Sequence, residues 1–155
     1  DATFKNVKDW HSIELNGCSG VTIDNCTFTG LNSSRGAMTD EYGTEMIQIE
    51  PSDHATSGIF QCADGQRSED ITIQNSTFEN PIEQDITVAI GNHGSAAIDT
   101  FNVEIINCDF FDWDAGIHPF DFDTVAIEDC TFDSSVGEAI TDAVTNVTTS
   151  GNTIQ

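Results

Sequence analysis

Val21-Thr22-Ile23-Asp24-Asn25-Cys26-Thr27-Phe28 is the stretch that decides the fold, because the chain keeps returning to it. It recurs as Ile-Thr-Ile-Gln-Asn-Ser-Thr-Phe at 71–78, as Val-Glu-Ile-Ile-Asn-Cys-Asp-Phe at 103–110 and as Val-Ala-Ile-Glu-Asp-Cys-Thr-Phe at 125–132. A worn copy fills 147–154, and Thr3-Phe4 reads as the tail of an earlier one. The starts lie 50, 32, 22 and 22 residues apart. A repeat with a floor of 22 residues and variable insertions marks a solenoid.

Inside each copy apolar and polar residues alternate, the period-2 signature of a strand with one buried face. Val21 and Ile23 point inward, and Thr22 and Asp24 point outward. Asn-Cys or Asn-Ser then turns the chain, and Phe28 re-enters the core on the next short strand. A second apolar pair precedes each copy: Ile13 and Leu15, Ile47 and Ile49, Val88 and Ile90, Ile117, Ile140. Each coil therefore holds about three short strands. Only two leucines are present, Leu15 and Leu31, so a leucine-rich repeat is excluded. No helical stripe of useful length appears, and β-branched residues fill the repeats. The expected fold is all-β: a right-handed parallel β-helix of about six coils, a single domain over 1–155. Insertions at 29–46, 50–70 and 91–102 are expected to form loops on one binding face.

With 27 acidic against 4 basic residues the formal net charge is −23, and no Lys or Arg follows Arg67. Nucleic acid and anionic membranes are excluded as natural partners. The charge keeps a surface solvated. Its sharper use is to hold Ca²⁺ through carboxylates, although no EF-hand or Gly-Gly-x-Gly-x-Asp repeat occurs; otherwise no cofactor is implied. No membrane span and no signal peptide is visible. The chain opens and closes in mid-repeat, so it is expected to be a segment of a longer secreted or surface-attached protein with flanking domains. Of the five cysteines, Cys26, Cys108 and Cys130 share one repeat position with Ser76 and read as small inward core residues. Cys18 and Cys62 have no assigned role.

The strands before each repeat align into an outward column: Glu14 and Asn16; Met46, Gln48 and Glu50; Ala89, Gly91 and Asn92; Gly116 and His118; Thr141 and Asp142. The small residues Ala89, Gly91 and Gly116 would let a ligand lie on the sheet. Ionisable groups flank them: Glu50, Asp53 and His54 on one side, and His93, His118 and Asp121 on another. Around His118 the run Phe111-Asp-Trp-Asp-Ala-Gly-Ile-His-Pro-Phe-Asp-Phe-Asp interleaves Trp113, Phe120 and Phe122 with Asp112, Asp114, Asp121 and Asp123. Aromatic faces pack on sugar C–H groups while acids and amides accept from hydroxyls, so the mixture suits a carbohydrate cleft. The competing reading packs the aromatics into the core and leaves the acids solvated. Acids on neighbouring coils lie roughly 5 Å apart, and two coils apart about 9–10 Å, which spans the separations that retaining and inverting glycosidases use.

The repeat, the preceding Glu-Met-Ile-Gln-Ile-Glu and the following Gly-Ile-His-Pro-Phe resemble β-helix proteins of the pectin-lyase-like superfamily over essentially the whole chain. More narrowly, 41–140 is similar to the β-helix of surface glycan-active proteins of the lacto-N-biosidase type. That likeness implies two catalytic aspartates a few residues apart, and Asp114 and Asp121 match most closely. The leading expectation is a glycoside hydrolase acting on a neutral or amino-sugar oligo- or polysaccharide. Asp114 and Asp121 would be its acid pair and Glu50 the alternate. His118, Gln48, Asn92, His93, Asp53 and Trp113 would contact substrate. The rivals are a non-catalytic glycan-binding adhesin or phage-type receptor-binding β-helix, and a polysaccharide lyase. A lyase would need Arg, Lys or Ca²⁺ to neutralise uronates, and the shortage of bases counts against it.

Overall fold

The structure is a computed structural model; it describes residues 1–8, 10–32, 44–51, 66–82, 87–92, 99–141 and 146–155. Among them lie sixteen strands: β1 (Ala2–Lys8), β2 (Ile13–Asn16), β3 (Ser19–Asp24), β4 (Cys26–Asn32), β5 (Glu45–Glu50), β6 (Glu69–Gln74), β7 (Thr77–Glu79), β8 (Val88–Gly91), β9 (Phe101–Ile106), β10 (Asp109–Phe111), β11 (Ala115–His118), β12 (Val125–Glu128), β13 (Thr131–Phe132), β14 (Glu138–Ile140), β15 (Val147–Ser150) and β16 (Thr153–Ile154). Every third strand joins the same sheet. The first sheet runs β1-β4-β7-β10-β13-β16, the second β2-β5-β8-β11-β14, and the third β3-β6-β9-β12-β15. All pairings are parallel. No helix occurs among the described residues. The expected three-sided β-helix of about six coils is what the chain builds.

Register carries the repeat into the core. Val21, Ile71, Val103, Val125 and Val147 form one column, and Ile23, Ile73, Ile105 and Ile127 the next. In the first sheet Phe4, Phe28, Phe78, Phe110 and Phe132 stack with ring centroids 4.8, 4.8, 5.1 and 4.8 Å apart and planes within 8° of parallel. That distance is the strand spacing itself. In-register parallel pairing forces identical rings to lie over one another. Within these stacks Phe4, Val21 and Val147 are half-buried, and the other residues are buried.

The corner between the third and first sheets explains the invariant polar turn. Asn25, Asn75, Asn107 and Asp129 all have a left-handed backbone with φ of 51–53°, and Gly151 completes the column at 66°. Asn and Asp visit that region more readily than other side-chain-bearing residues. One residue further, Cys26, Ser76, Cys108 and Cys130 line up. Each donates to the carbonyl two residues back, Ser76 Oγ to Gln74 at 2.7 Å and the Cys108 and Cys130 thiols at 3.4 Å. Cys108 and Cys130 are buried, and all four described cysteines are free thiols. Cys62 lies outside the described residues.

Candidate functional site

The second sheet carries the anticipated site. Register places Glu14 beside Gln48, Gln48 beside Gly91 and Gly91 beside His118, so the expected column exists. Its surroundings differ from an open cleft. Every residue of β5 and of β8 is buried, on the outward face as well as the inward one. Buried polar groups must find partners, and these do. Glu50 accepts from Asn16 Nδ2 through Oε1 at 3.3 Å and from Gln48 Nε2 through Oε2 at 3.4 Å. Asn92 is buried too, and its backbone N–H donates to the His118 carbonyl at 3.3 Å.

Neither glycine opens space over the sheet. A Cβ on Gly91 would lie 2.7 Å from the His118 carbonyl and 3.0 Å from the His118 Cβ. On Gly116 it would lie 2.7 Å from the Phe132 ring and 2.8 Å from the Ala139 carbonyl. These positions are small because neighbouring coils already fill the room. Trp113, expected on a cleft wall, is a core residue at 1% exposure, and Phe122 matches it. Asp112, just before Trp113, is left-handed with φ 59° and turns the chain there.

Asp114 and Asp121 are not brought together. Asp114 precedes β11, and its Oδ2 accepts from both the Thr87 backbone N–H (2.7 Å) and the Thr87 hydroxyl (3.0 Å). Thr87 in turn accepts from Asn80 Nδ2 at 3.3 Å, and Asn80 Oδ1 accepts from the Leu31 N–H at 2.9 Å. Asp114 thus ends a polar chain that ties three coils together. Asp121 sits beyond the other end of β11, in a left-handed turn with φ 54°, where its carbonyl accepts from the Thr100 N–H at 2.9 Å. From Asp114 to His118 alone, four strand residues span about 13 Å. Asp53, His54, His93 and Asp142 lie outside the described residues, as do 33–43, 52–65 and 93–98 of the expected loops.

What remains at the surface is the turn after β11. His118 and Phe120, both half-buried, stack with centroids 5.7 Å apart and planes 6° from parallel. His118 Nδ1 bonds the Thr141 hydroxyl at 2.6 Å and fixes the imidazole. Elsewhere, reasoning from sequence missed a fully buried acid, Glu45. Its phase with Ile47 and Ile49, two and four residues on, is the signal that could have found it. His11 Nδ1 lies 2.8 Å from the Glu45 carbonyl and 3.5 Å from its Oε2. Asp133 is held below the usual carboxylate range by the Ser135 backbone N–H, then by the Ser135 hydroxyl. The neighbouring Cys130 thiol and burial push Cys108 up. Among the described residues no group of three His, Cys, Asp or Glu side chains is placed to hold a metal ion.

Fold and surface together define a class, an acid-coated parallel β-helix whose polar columns serve its own turns. No protein-family model matches the chain. It is 31% identical over 146 residues, 90% of its length, to plasmin and fibronectin-binding protein A of Streptococcus pneumoniae. It also resembles two solved structures of PfbA, a surface adhesin of Streptococcus pneumoniae, at 31% and 33% identity with TM-scores of 0.64 and 0.66. Each comparison covers 84% of this chain. The chain spans 20% of the curated relative and 34% and 31% of the solved chains. Both solved relatives are described as surface proteins, which agrees with the cell-surface location expected for this chain.

Proposed function

We propose that this chain is part of the β-helix of a surface adhesin and acts as a non-catalytic binding module for a protein ligand. The observation that carries the reading is its likeness to a plasmin- and fibronectin-binding surface protein over 90% of its length. The candidate acids point the same way. Asp114 is engaged by two donors from Thr87, and Glu50 is buried between Asn16 and Gln48. A glycosidase acid pair needs carboxyl groups within about 10 Å of each other and facing one substrate, and nothing in the placement of Asp114 and Asp121 at opposite ends of β11 supports that. At −23 the surface favours basic ligands, with association that weakens as salt rises.

A carbohydrate role is the second reading, in line with the pectin-lyase-like and lacto-N-biosidase likenesses. The stacked, half-buried His118 and Phe120 favour it. One experiment separates the two. The purified chain is applied to immobilised fibronectin and plasmin, and in parallel to an array of neutral and amino-sugar glycans. Saturable protein binding that falls between roughly 50 and 300 mM NaCl is expected. Sugar release or glycan binding with neither protein bound would replace the adhesin reading with the carbohydrate one.

A further inference from the structure

The turn after β11 combines features that the binding reading leaves unassigned. Phe120 and His118 are stacked with near-parallel planes, and both remain half-buried where their neighbours Gly116, Ile117 and Phe122 are closed off. The turn is held from several sides. Phe120 N–H donates to the His118 carbonyl at 2.9 Å, and Phe122 N–H to the Pro119 carbonyl at 3.3 Å. Thr100 donates to the Asp121 carbonyl at 2.9 Å and accepts from the Asp123 N–H at 2.7 Å. The Phe122 side chain anchors the turn in the core. Half-buried Asp121 and Asp123 lie one and three residues after Phe120, Asp123 Oδ1 accepting from Asn146 Nδ2 at 2.8 Å, and no Lys or Arg occurs in the 88 residues after Arg67.

We propose that the 118–123 turn receives a lysine or arginine side chain of the protein ligand. This rests on the adhesin reading above and names the chemistry of its contact. A cation over an aromatic face is attracted by the ring quadrupole, and adjacent carboxylates add Coulombic attraction. A ring already locked by stacking and by the His118–Thr141 bond loses little freedom on binding. A neutral sugar could use the ring but gains nothing from the surrounding charge.

The test uses the whole isotope-labelled chain and a small probe. Nα-acetyl-lysine methylamide is titrated while the aromatic resonances of Phe120 and His118 are followed by NMR. Nα-acetyl-norleucine methylamide and a methyl glycoside are the neutral comparisons. The lysine probe alone is expected to move the resonances saturably. Phe120→Leu should weaken it about five-fold, the size of an exposed cation–π contact. Asp121→Asn, which keeps the left-handed turn, should weaken it a few-fold. Thermal melts report whether either variant is folded, and Asp121→Asn serves if Phe120→Leu is not. Equal movement with norleucine, movement with the glycoside alone, or none at all overturns the proposal. Fibronectin and plasmin binding that survives such a result leaves the adhesin reading standing. Loss of that binding with a positive lysine titration removes the reading and keeps the cation site.

Discussion

Phe78 is the residue on which the solenoid's central coupling can be measured. It is fully buried, with Phe28 4.8 Å away on one side and Phe110 5.1 Å away on the other. Phe78→Ala removes a core ring, which costs about 3–5 kcal/mol in well-packed interiors. It also breaks two stacked pairs, each worth roughly 0.5–1.5 kcal/mol beyond area burial. A loss near the upper end, about 5 kcal/mol, is expected, a large part of the roughly 5–15 kcal/mol that stabilises a typical domain. Phe4 is the internal comparison, because it is only half-buried and among the described residues stacks on Phe28 alone. Phe4→Ala should cost about 2 kcal/mol. In a solenoid each coil touches only its neighbours, so the Phe78 gap should also uncouple the coils on either side. Urea denaturation followed by circular dichroism measures both effects. Phe78→Ala should show the lower midpoint and a broader or split transition. Equal costs for the two variants, or a Phe78→Ala transition as sharp as the parent's, would refute the idea that the ring ladder transmits stability.

Three further outcomes follow from the packing. Gly116→Ala must push its methyl against the Phe132 ring and the Ala139 carbonyl, so it should lower stability by about 1–3 kcal/mol while leaving ligand binding intact; a neutral effect on the melt would restore the idea of an open subsite. Burial should make Cys108 and Cys130 react with a thiol reagent far more slowly than half-buried Cys18 and Cys26, and mass spectrometry without reductant should show no Cys108–Cys130 bridge. Asp133 has a lowered folded-state pKa, so its stabilising contribution is complete above the ordinary aspartate value of about 3.9 and fades as pH falls through the lower folded value. Asp133→Asn should therefore destabilise at neutral pH, with the gap to the parent closing in acid; a gap that does not change with pH would contradict the assignment.

The fold was legible because a parallel solenoid copies its register into the sequence. The Phe at the end of each repeat becomes a ring stack, and the Asn before each Cys becomes a left-handed corner. The site was harder to read, since the same residue types serve both packing and binding. Gly116 reads as a ligand-facing gap until the Phe132 ring, brought in from another sheet, is seen to fill it. Contacts between sheets leave no periodic trace. Trp113 reads as a ligand contact because aromatics alternate with acids around it, a pattern that a buried ring beside exposed turn acids produces equally well. Asp114 stands out through the lacto-N-biosidase likeness and its place near His118, and its partner Thr87, 27 residues away on the preceding coil, leaves no mark in that stretch of sequence.

The acids are satisfied by amides and hydroxyls more than by bases. Asp24 Oδ1 accepts from Gln74 Nε2 at 3.2 Å and Asn75 Nδ2 at 2.7 Å, Asp70 from Asn102 at 2.7 Å, Asp123 from Asn146 at 2.8 Å, and Glu104 from the Thr72 hydroxyl at 3.2 Å. A neutral donor meets a carboxylate's hydrogen-bonding demand without cancelling its charge. Pairing with Lys or Arg would have satisfied the same oxygens and also removed the field. The ladders therefore order the acids on a rigid lattice and leave a net charge of −23 directed at solvent. Such a field raises the encounter rate with basic surfaces and falls away over about 8 Å at physiological salt. The basic ligand proposed above would gain from such a field, and a neutral sugar would gain nothing from it.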